Sequence, residues 1–593
     1  MRQRSLRELA FRVHQQAASV WDRVLPAPQF KGELNSLPLT EPLVIAVALR
    51  DTPYAANLRS IAEAILRRDM HVFGETLVLP PEIDWNRDYK HGVSNPIRWF
   101  RRIPFLDFAV SGDHKYIWEI NRHQHLIALG QDWVLFGERR AIDRIEADLV
   151  SWQEQNPFVR SMNWASALEV AFRALSWMWV LHLCGHALSG TTRELLATGL
   201  LQHGAAIRHN LSTYFAPNTH ILGEGVALHA LGIVLGRDSW RGQGDDIVNR
   251  QLVEQVEADD FHFERSTYYH VYALDMFLFH YLLAGRPAAY EPILIRMAKV
   301  LESLLDSERT IPVIGDDDGG RFFHPYGERN RFANATLATC AALFPAAGLS
   351  AQQADLSEQG VWWIGPVTVN EQPLPDTSEH WASSGLTVFR RGAARVTFDC
   401  GEMSRGGAGH SHADALALTL SLDGREILTD PGTFTYVSDP AARDWFRGTG
   451  AHSTVRLGGL DQADPVHPFL WANKPEVSRV AAEQWSATGR CSYRGWTHER
   501  SVDWTDERML LIRDRVTGPA LEQVWHSALP ITPLDSHHFT IGPVEIFIDP
   551  QLRAEIRPAW RSPVFGTRVP SLMLHCGIDF PATNELVTRI ILP

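Results

Sequence analysis

At 593 residues the chain is too long for one ordinary core, and two or more domains are expected. A hydrophobic share of 45% with 21% charged residues is that of a globular protein, and 56 basic against 69 acidic residues (net −13) argue against non-specific nucleic-acid binding. No run approaches the roughly 18 apolar residues of a membrane span. Five scattered cysteines (Cys184, Cys340, Cys400, Cys491, Cys576) are not a disulfide framework.

The first 24 residues are partly basic, lack a clean apolar stretch and read as an amphipathic helix. Without a recognisable signal peptide, the cytoplasm is the default expectation, with a periplasmic or secreted location by another route left open. Leu43 to Leu49 is a short apolar run of strand or buried-helix type, followed by loops marked by Pro80, Pro81, Trp85, Pro96 and Trp99. Lys115 to Gly130 returns apolar residues at three- and four-residue steps. Residues 1–125 are thus expected to form a mixed lead-in.

Helix dominates residues 126–370. Leu168 to Leu183 is apolar on more than one face, as in a helix packed among helices. Thr192 to His209, His220 to Leu235, Tyr268 to Leu283 and Glu291 to Leu305 follow, separated by short Gly, Pro or Asn breaks. Such hairpins predict a bundle or a ring of helix pairs. A Pro-rich polar stretch precedes a change of character. From residue 371 to the end the chain reads as an antiparallel β-sandwich of turn-separated strands. The fold class is therefore α+β and multidomain, with a ligand expected in the cleft between the halves. The 20 tryptophans suit sugar stacking where exposed and core or groove wall where buried.

Three stretches carry chemistry. Asn218, Thr219 and His220 stand at a loop-to-helix junction with Glu224 one turn on, an arrangement that favours an anion at a helix N-terminus or, more plainly, an Asn cap with a surface His. Phe263 to Phe277 places Glu264, Arg265, Tyr268, Tyr269 and His270 at another helix start, where a Tyr either packs or transfers a proton. The acidic, Gly-rich Ile311 to Phe323 lacks the terminal Glu of a calcium loop and reads as a loop shaping the cleft.

The third stretch is Gly406 to Val455. His410 and His412 precede an alternating strand pattern (Leu416, Leu418, Leu420, Leu422). Asp423-Gly424 signals a hairpin whose return strand delivers Asp430, and His452 precedes another β-type segment. Histidines and an aspartate converging there would suit zinc. One metal can take His412 and leave His410 pointing elsewhere; the alternative is loop histidines at strand ends.

Together KYIWEINRHQH, NWASALEVAFRALSW, NTHILGEG, ERSTYYH, GHSHADAL, LTDPGTFTY and GTGAHSTV, in that order, resemble the heparinase II/III-type polysaccharide lyases over roughly residues 110–460. The resemblance implies an incomplete toroid of helix pairs followed by a β-sandwich, and β-elimination on an acidic, uronate-containing polysaccharide of glycosaminoglycan type. It places Asn218 and His220 on the uronate carboxylate, Tyr269 as the acid at O4 (or acid and base together) and His410 as base for the opposite stereochemistry. It makes His412, Asp430 and His452 ligands of a structural Zn2+, and Glu224, Arg265, Arg443 and Arg447 substrate or supporting positions. The family often has adjacent Asn-His, whereas Thr219 intervenes here, which leaves open whether Asn218 or His220 is the main neutraliser. Alginate or bacterial exopolysaccharide cleavage, and a non-catalytic polysaccharide-binding or assembly role, are the alternatives. The sequence sets no oligomeric state.

Overall fold

The computed structural model describes residues 5–579 and 585–593. The amphipathic start is a helix over Leu6–Val24, capped by Ser5, whose hydroxyl accepts the Glu8 N–H; residues 1–4 of the expected helix lie outside the described residues. The ambiguous run after it is helical. Pro42 opens Pro42–Leu49, which buries Ile45, Ala46 and Leu49.

The Lys115 to Gly130 pattern is not one helix. His114–Asn121 and Gln124–Phe136 are separated at His123, whose backbone is left-handed at φ 57°. The Trp177 indole N–H donates to His123 Nδ1 at 2.9 Å, a buried tie that holds the break. Periodicity reads straight across such a break because both pieces bury the same kinds of side chain.

The helices Ala167–Cys184, Gly190–His209, Thr219–Val234, Asp238–Gln255, Thr267–Leu283, Glu291–Leu304 and Phe332–Leu343 succeed one another, the last two across the long loop of residues 305–331, as in the expected incomplete toroid. In Thr267–Leu283 every residue except Tyr268 is buried, the mark of a helix with neighbours all round. The Ala167–Ala187 stretch is long and apolar enough to cross a bilayer by length and composition, but 89% of its most apolar window is buried inside the fold.

Strands follow from Thr377 onward. A five-stranded antiparallel sheet runs in chain order through Thr377–His380, Leu386–Arg391, Ala394–Asp399, Leu418–Leu422 and Arg425–Leu428. Its last hairpin turns at Asp423 and Gly424, with φ 49° and 69° and Leu422 opposite Arg425. Positive φ at both central residues is what a tight two-residue hairpin demands. Eight-stranded and four-stranded antiparallel sheets and the two-stranded ribbon of Asp464–His467 and Leu470–Ala472 also lie in this half, and side chains from the three larger sheets meet in one apolar core that includes Phe398, Leu416, Val455, Ile512, Trp525 and Leu574.

The halves are fastened by an apolar contact, in which Phe261, Val300, Leu304 and Ile314 pack with Trp381, Leu386 and Val388, and by polar ones. One Asp259 carboxylate oxygen accepts the Ser383 N–H (2.8 Å), the Ser384 N–H (2.7 Å) and the Ser384 hydroxyl (3.0 Å). Arg390 donates to the Leu305 carbonyl at 2.6 Å and Arg395 to the Leu304 carbonyl at 2.8 Å. With the halves so docked, the start of Thr267–Leu283 stands against the loop that precedes the Leu418–Leu422 strand.

Candidate active site and metal centre

Tyr269 lies in the first turn of Thr267–Leu283. Ser266 caps that helix: its hydroxyl accepts the Tyr269 N–H at 3.1 Å and donates to the Asp316 carbonyl at 2.7 Å. The buried Tyr269 ring stacks on His410 from the other half of the chain, with centroids 4.3 Å apart and planes at 24°. Burial holds the Tyr269 phenol well above its ordinary pKa, and Asp318, Tyr436, Glu264 and Asp316 reinforce the shift.

His410 is clamped from behind. Its Nδ1 donates to Asp316 Oδ2 at 3.0 Å, and the Asp316 backbone N–H donates to the His410 carbonyl at 2.9 Å. With Nδ1 carrying the proton, the Nε2 lone pair faces Glu264, whose Oε1 is 3.6 Å away. Burial alone would lower the His410 pKa, but the Asp316 hydrogen bond and the charge of Glu264 outweigh it and raise the imidazole. Asp316 is held by Arg443 as well, at 2.5 and 2.8 Å. Burial works against its charge; Arg443, His410 and His412 hold the carboxyl well below its ordinary pKa.

Asn218 caps Thr219–Val234, its Oδ1 accepting the His220 N–H at 3.2 Å. Its amide donates to Glu264 Oε1 at 2.7 Å, the same oxygen that faces His410. The His220 ring is half-buried and stays neutral: burial lowers its pKa to about 4. Both helices thus aim their N-terminal, partly positive ends at one place. The four expected catalytic residues, Tyr269, His410, His220 and Asn218, are brought together across the cleft.

The expected substrate contacts fare differently. Glu224 is fully buried, and its carboxylate accepts the Ser212 N–H at 2.8 Å and the Ser212 hydroxyl at 2.5 Å; it braces the loop before the helix and has no face on the cleft. Arg443 is spent on Asp316. Arg447 is buried over the Trp471 ring, bonded to Asp444 at 2.6 Å and to the Pro468 carbonyl at 3.1 Å. These three are corrected from substrate contacts to supports of the fold. Arg265, at φ 57°, donates to the Ser384 and Glu402 carbonyls at 3.1 and 3.0 Å, tying the halves together beside the site.

Beneath His410 lies a buried cluster in which His412, Asp414, Asp430 and His452 each offer a ligand atom within 4.8 Å of the others. His412 Nε2 donates to Asp316 Oδ1 at 3.1 Å, and His452 Nδ1 donates to the Gly448 carbonyl at 2.8 Å. The remaining nitrogens, His412 Nδ1 and His452 Nε2, face each other at 3.2 Å, and the latter is 3.3 Å from Asp430 Oδ2. Two lone pairs and two carboxylates need a cation between them. A proton partly meets that need: burial opposes it, yet Asp430 and Asp414 push the His452 pKa up to about 9. Ligand atoms about 3.3 Å apart also suit a tetrahedral ion with bonds of about 2.0–2.1 Å. His412, Asp430 and His452 were expected from sequence; Asp414 was not, though it stands two residues after His412. Asp316 and Glu264 were seen only as parts of a loop and a helix start.

Residues 49–322 match the family profile "Heparinase II/III N-terminus" and residues 374–550 match "Heparinase II/III-like, C-terminal". A heparin-sulfate lyase of Pedobacter heparinus is 28% identical over 292 residues, 47% of this chain and 41% of that protein. One of Bacteroides stercoris is 22% identical over 446 residues, 68% of this chain and 62% of that protein. The matches thus span less than two thirds of these relatives' length. A crystal structure of heparinase III superposes with a TM-score of 0.65 at 15% identity, covering 98% of this chain and 89% of that one, which establishes the shared architecture. With its two halves matching the two family profiles in order, the chain belongs to the heparinase II/III family.

Proposed function

We propose that the protein is a polysaccharide lyase that cleaves a uronate-containing, glycosaminoglycan-like polymer by β-elimination. The observation that carries this reading is the Tyr269 phenol stacked on the His410 imidazole at 4.3 Å, one from each half of the chain. A hydrogen α to a carboxylate is weakly acidic, so its removal needs a positioned base, donors for the developing enolate, and an acid for the leaving oxygen.

In this reading His410 Nε2 takes the C5 proton. The electrons of the C5–H bond form the C4–C5 double bond, the C4–O4 bond breaks, and the Tyr269 phenol protonates O4. Burial and the surrounding carboxylates favour the protonated phenol, which suits Tyr269 to the acid's role more than to the base's. The Asp316 hydrogen bond makes His410 the better proton acceptor and fixes which nitrogen faces the sugar. The sugar carboxylate would be met by the neutral His220 ring and the Asn218 amide. His220 is the main neutraliser of the two, because Asn218 already donates to Glu264. The relatives' names, heparin-sulfate lyase, favour a heparin- or heparan-type chain as the polymer.

The cluster fits Zn2+, with His412, Asp414, Asp430 and His452 as ligands. Bound there, the ion would cross-link the loops beneath the cleft, a structural contribution. His412 would then stand fixed, and through its other nitrogen so would Asp316 and His410.

Incubation with heparan sulfate, chondroitin sulfate, hyaluronan, alginate and xanthan, followed by the ultraviolet absorbance of the unsaturated uronate, tests the reading. Rising absorbance with a glycosaminoglycan is expected, and Tyr269→Phe should lower turnover by about 10²–10⁴-fold with little change in Tm. Binding without any rise would point to the non-catalytic role instead. A rise with alginate or xanthan alone would move the substrate to the other uronate polymers.

A further inference from the structure

Away from the cleft, three helices bring a second set of ligand-type side chains together. His229 of Thr219–Val234, Asp245 of Asp238–Gln255 and His280 of Thr267–Leu283 each place one such atom within 4.8 Å of the others. The first two helices approach this closely because residue 244 is glycine: a Cβ there would lie 2.3 Å from the His229 backbone nitrogen and 2.6 Å from the Gly225 carbonyl.

The imidazoles are buried and under-used. His229 is 2% and His280 0% exposed. His229 Nδ1 donates to the Arg241 carbonyl at 3.2 Å, which leaves Nε2 as a buried lone pair without a hydrogen-bond partner among the described residues. The Leu283 carbonyl, near the same ring, is an acceptor and cannot serve a lone pair. Among the described residues neither nitrogen of His280 has a hydrogen-bond partner. Its Nε2 stands 3.3 Å from Asp245 Oδ1 without hydrogen-bond geometry, which is about the ligand-to-ligand edge of a tetrahedral ion with bonds of about 2.0–2.1 Å. A backbone carbonyl orienting one nitrogen of an imidazole while the other points at open ligand space is the usual support of a metal-binding His. The Asp245 side chain is 42% exposed and gives an ion its way in.

We propose that His229, Asp245 and His280 form a second metal site, for zinc or another divalent d-block ion, completed by water. Two imidazole nitrogens and one carboxylate oxygen suit such an ion rather than calcium or magnesium. Its place explains its use. His280 lies eleven residues beyond Tyr269, about 16 Å along the same helix, and His229 follows His220 on its own helix. The ion would pin the far ends of the two helices whose near ends carry the candidate catalytic side chains.

The test is metal stoichiometry in the full chain. Chelator-treated protein is titrated with Co2+, read by its visible absorption, and with Zn2+, counted by elemental analysis. Wild type should bind two ions per chain, and Asp245→Asn and Asp430→Asn one each. In Asp430→Asn the remaining ion should raise Tm, and His229→Gln added to that variant should abolish the rise. Asp245 is half-exposed, so its variant keeps the fold. Uptake by Asp245→Asn equal to wild type overturns the site, as does a single wild-type ion lost only in Asp430→Asn. A single ion lost in Asp245→Asn alone would keep this site and remove the metal from the cluster beneath the cleft.

Discussion

Glu224 shows how a residue with the right chemistry and the right neighbours in sequence still faces the wrong way. It stands one helical turn after His220, so a cleft position was a fair expectation, but the Thr219–Val234 helix is buried nearly all round and that turn points it at Ser212. Burial pushes its carboxyl up to about 8, against the lowering effect of the two Ser212 bonds. The unfolded chain releases this proton near the ordinary carboxyl pKa, while the folded chain keeps it to about pH 8. The folded state therefore binds more protons through that window, and stability falls as pH rises across it. Glu224→Gln, which mimics the protonated form, should gain in Tm over wild type as pH climbs from 5 to 8, a difference on the order of 3 kcal/mol, and the gain should level off above. Thermal melts at stepped pH check this; a Tm difference that stays flat would refute it. Tyr269 and His410 were picked out by the resemblance of their motifs, while the residues alone left a Tyr there to pack or to transfer a proton. Asp316 and Asp414 were given no role, because one sits among three successive aspartates and the other in a strand approach where an acid is commonplace.

At the scale of elements, the Ile311 to Phe323 segment was readable as a Gly-rich loop near the cleft. Its work was not, since the contact it makes joins residues 94 positions apart. Gly315 is the pivot. At φ 68°, a Cβ would lie 2.8 Å from the His410 carbonyl and 3.2 Å from that of Arg265. Both the backbone conformation and the space therefore require glycine. Gly315→Ala should cost about 1–3 kcal/mol of stability and, by pushing the loop off His410, lower kcat far more than it changes KM. A variant with wild-type kcat would show that the loop does not set the His410 position. The Lys115 to Gly130 segment teaches the converse. There the apolar period survived a break in the backbone, because His123 is fixed by a partner, Trp177, that local pattern cannot name.

For the molecule as a whole, the order of a helical half and a strand half is visible in the change of period from 3.6 to 2, and a cleft between them follows. How the halves dock is a matter of side chains on the surface of each, where patterning says little. Asp259 decides much of it. One oxygen gathers two backbone N–H groups and a hydroxyl of Ser383 and Ser384, while Arg265, six residues on, donates back to the Ser384 carbonyl. A carboxylate accepting several bonds is worth more than neutral pairs, about 1.5–3 kcal/mol for a charged acceptor. The strand half keeps a core of its own, and the helical core takes in only Tyr436, Val437 and Phe565 from beyond residue 370, so loss of this clasp should slacken the docking and leave the cores folded. Asp259→Ala should then speed hydrogen exchange at the Ser383 and Ser384 amides while protection in the Thr267–Leu283 helix stays unchanged. The distance between Tyr269 and His410 would begin to fluctuate, and kcat/KM should drop by roughly tenfold or more, since 1.4 kcal/mol of lost positioning already costs that much. Asp259→Asn keeps one acceptor and should fall between the two. If Asp259→Ala exchanges like wild type at Ser383 and Ser384 and keeps full activity, the halves are held by the apolar contact and the arginines alone, and the catalytic pair owes its registry to them.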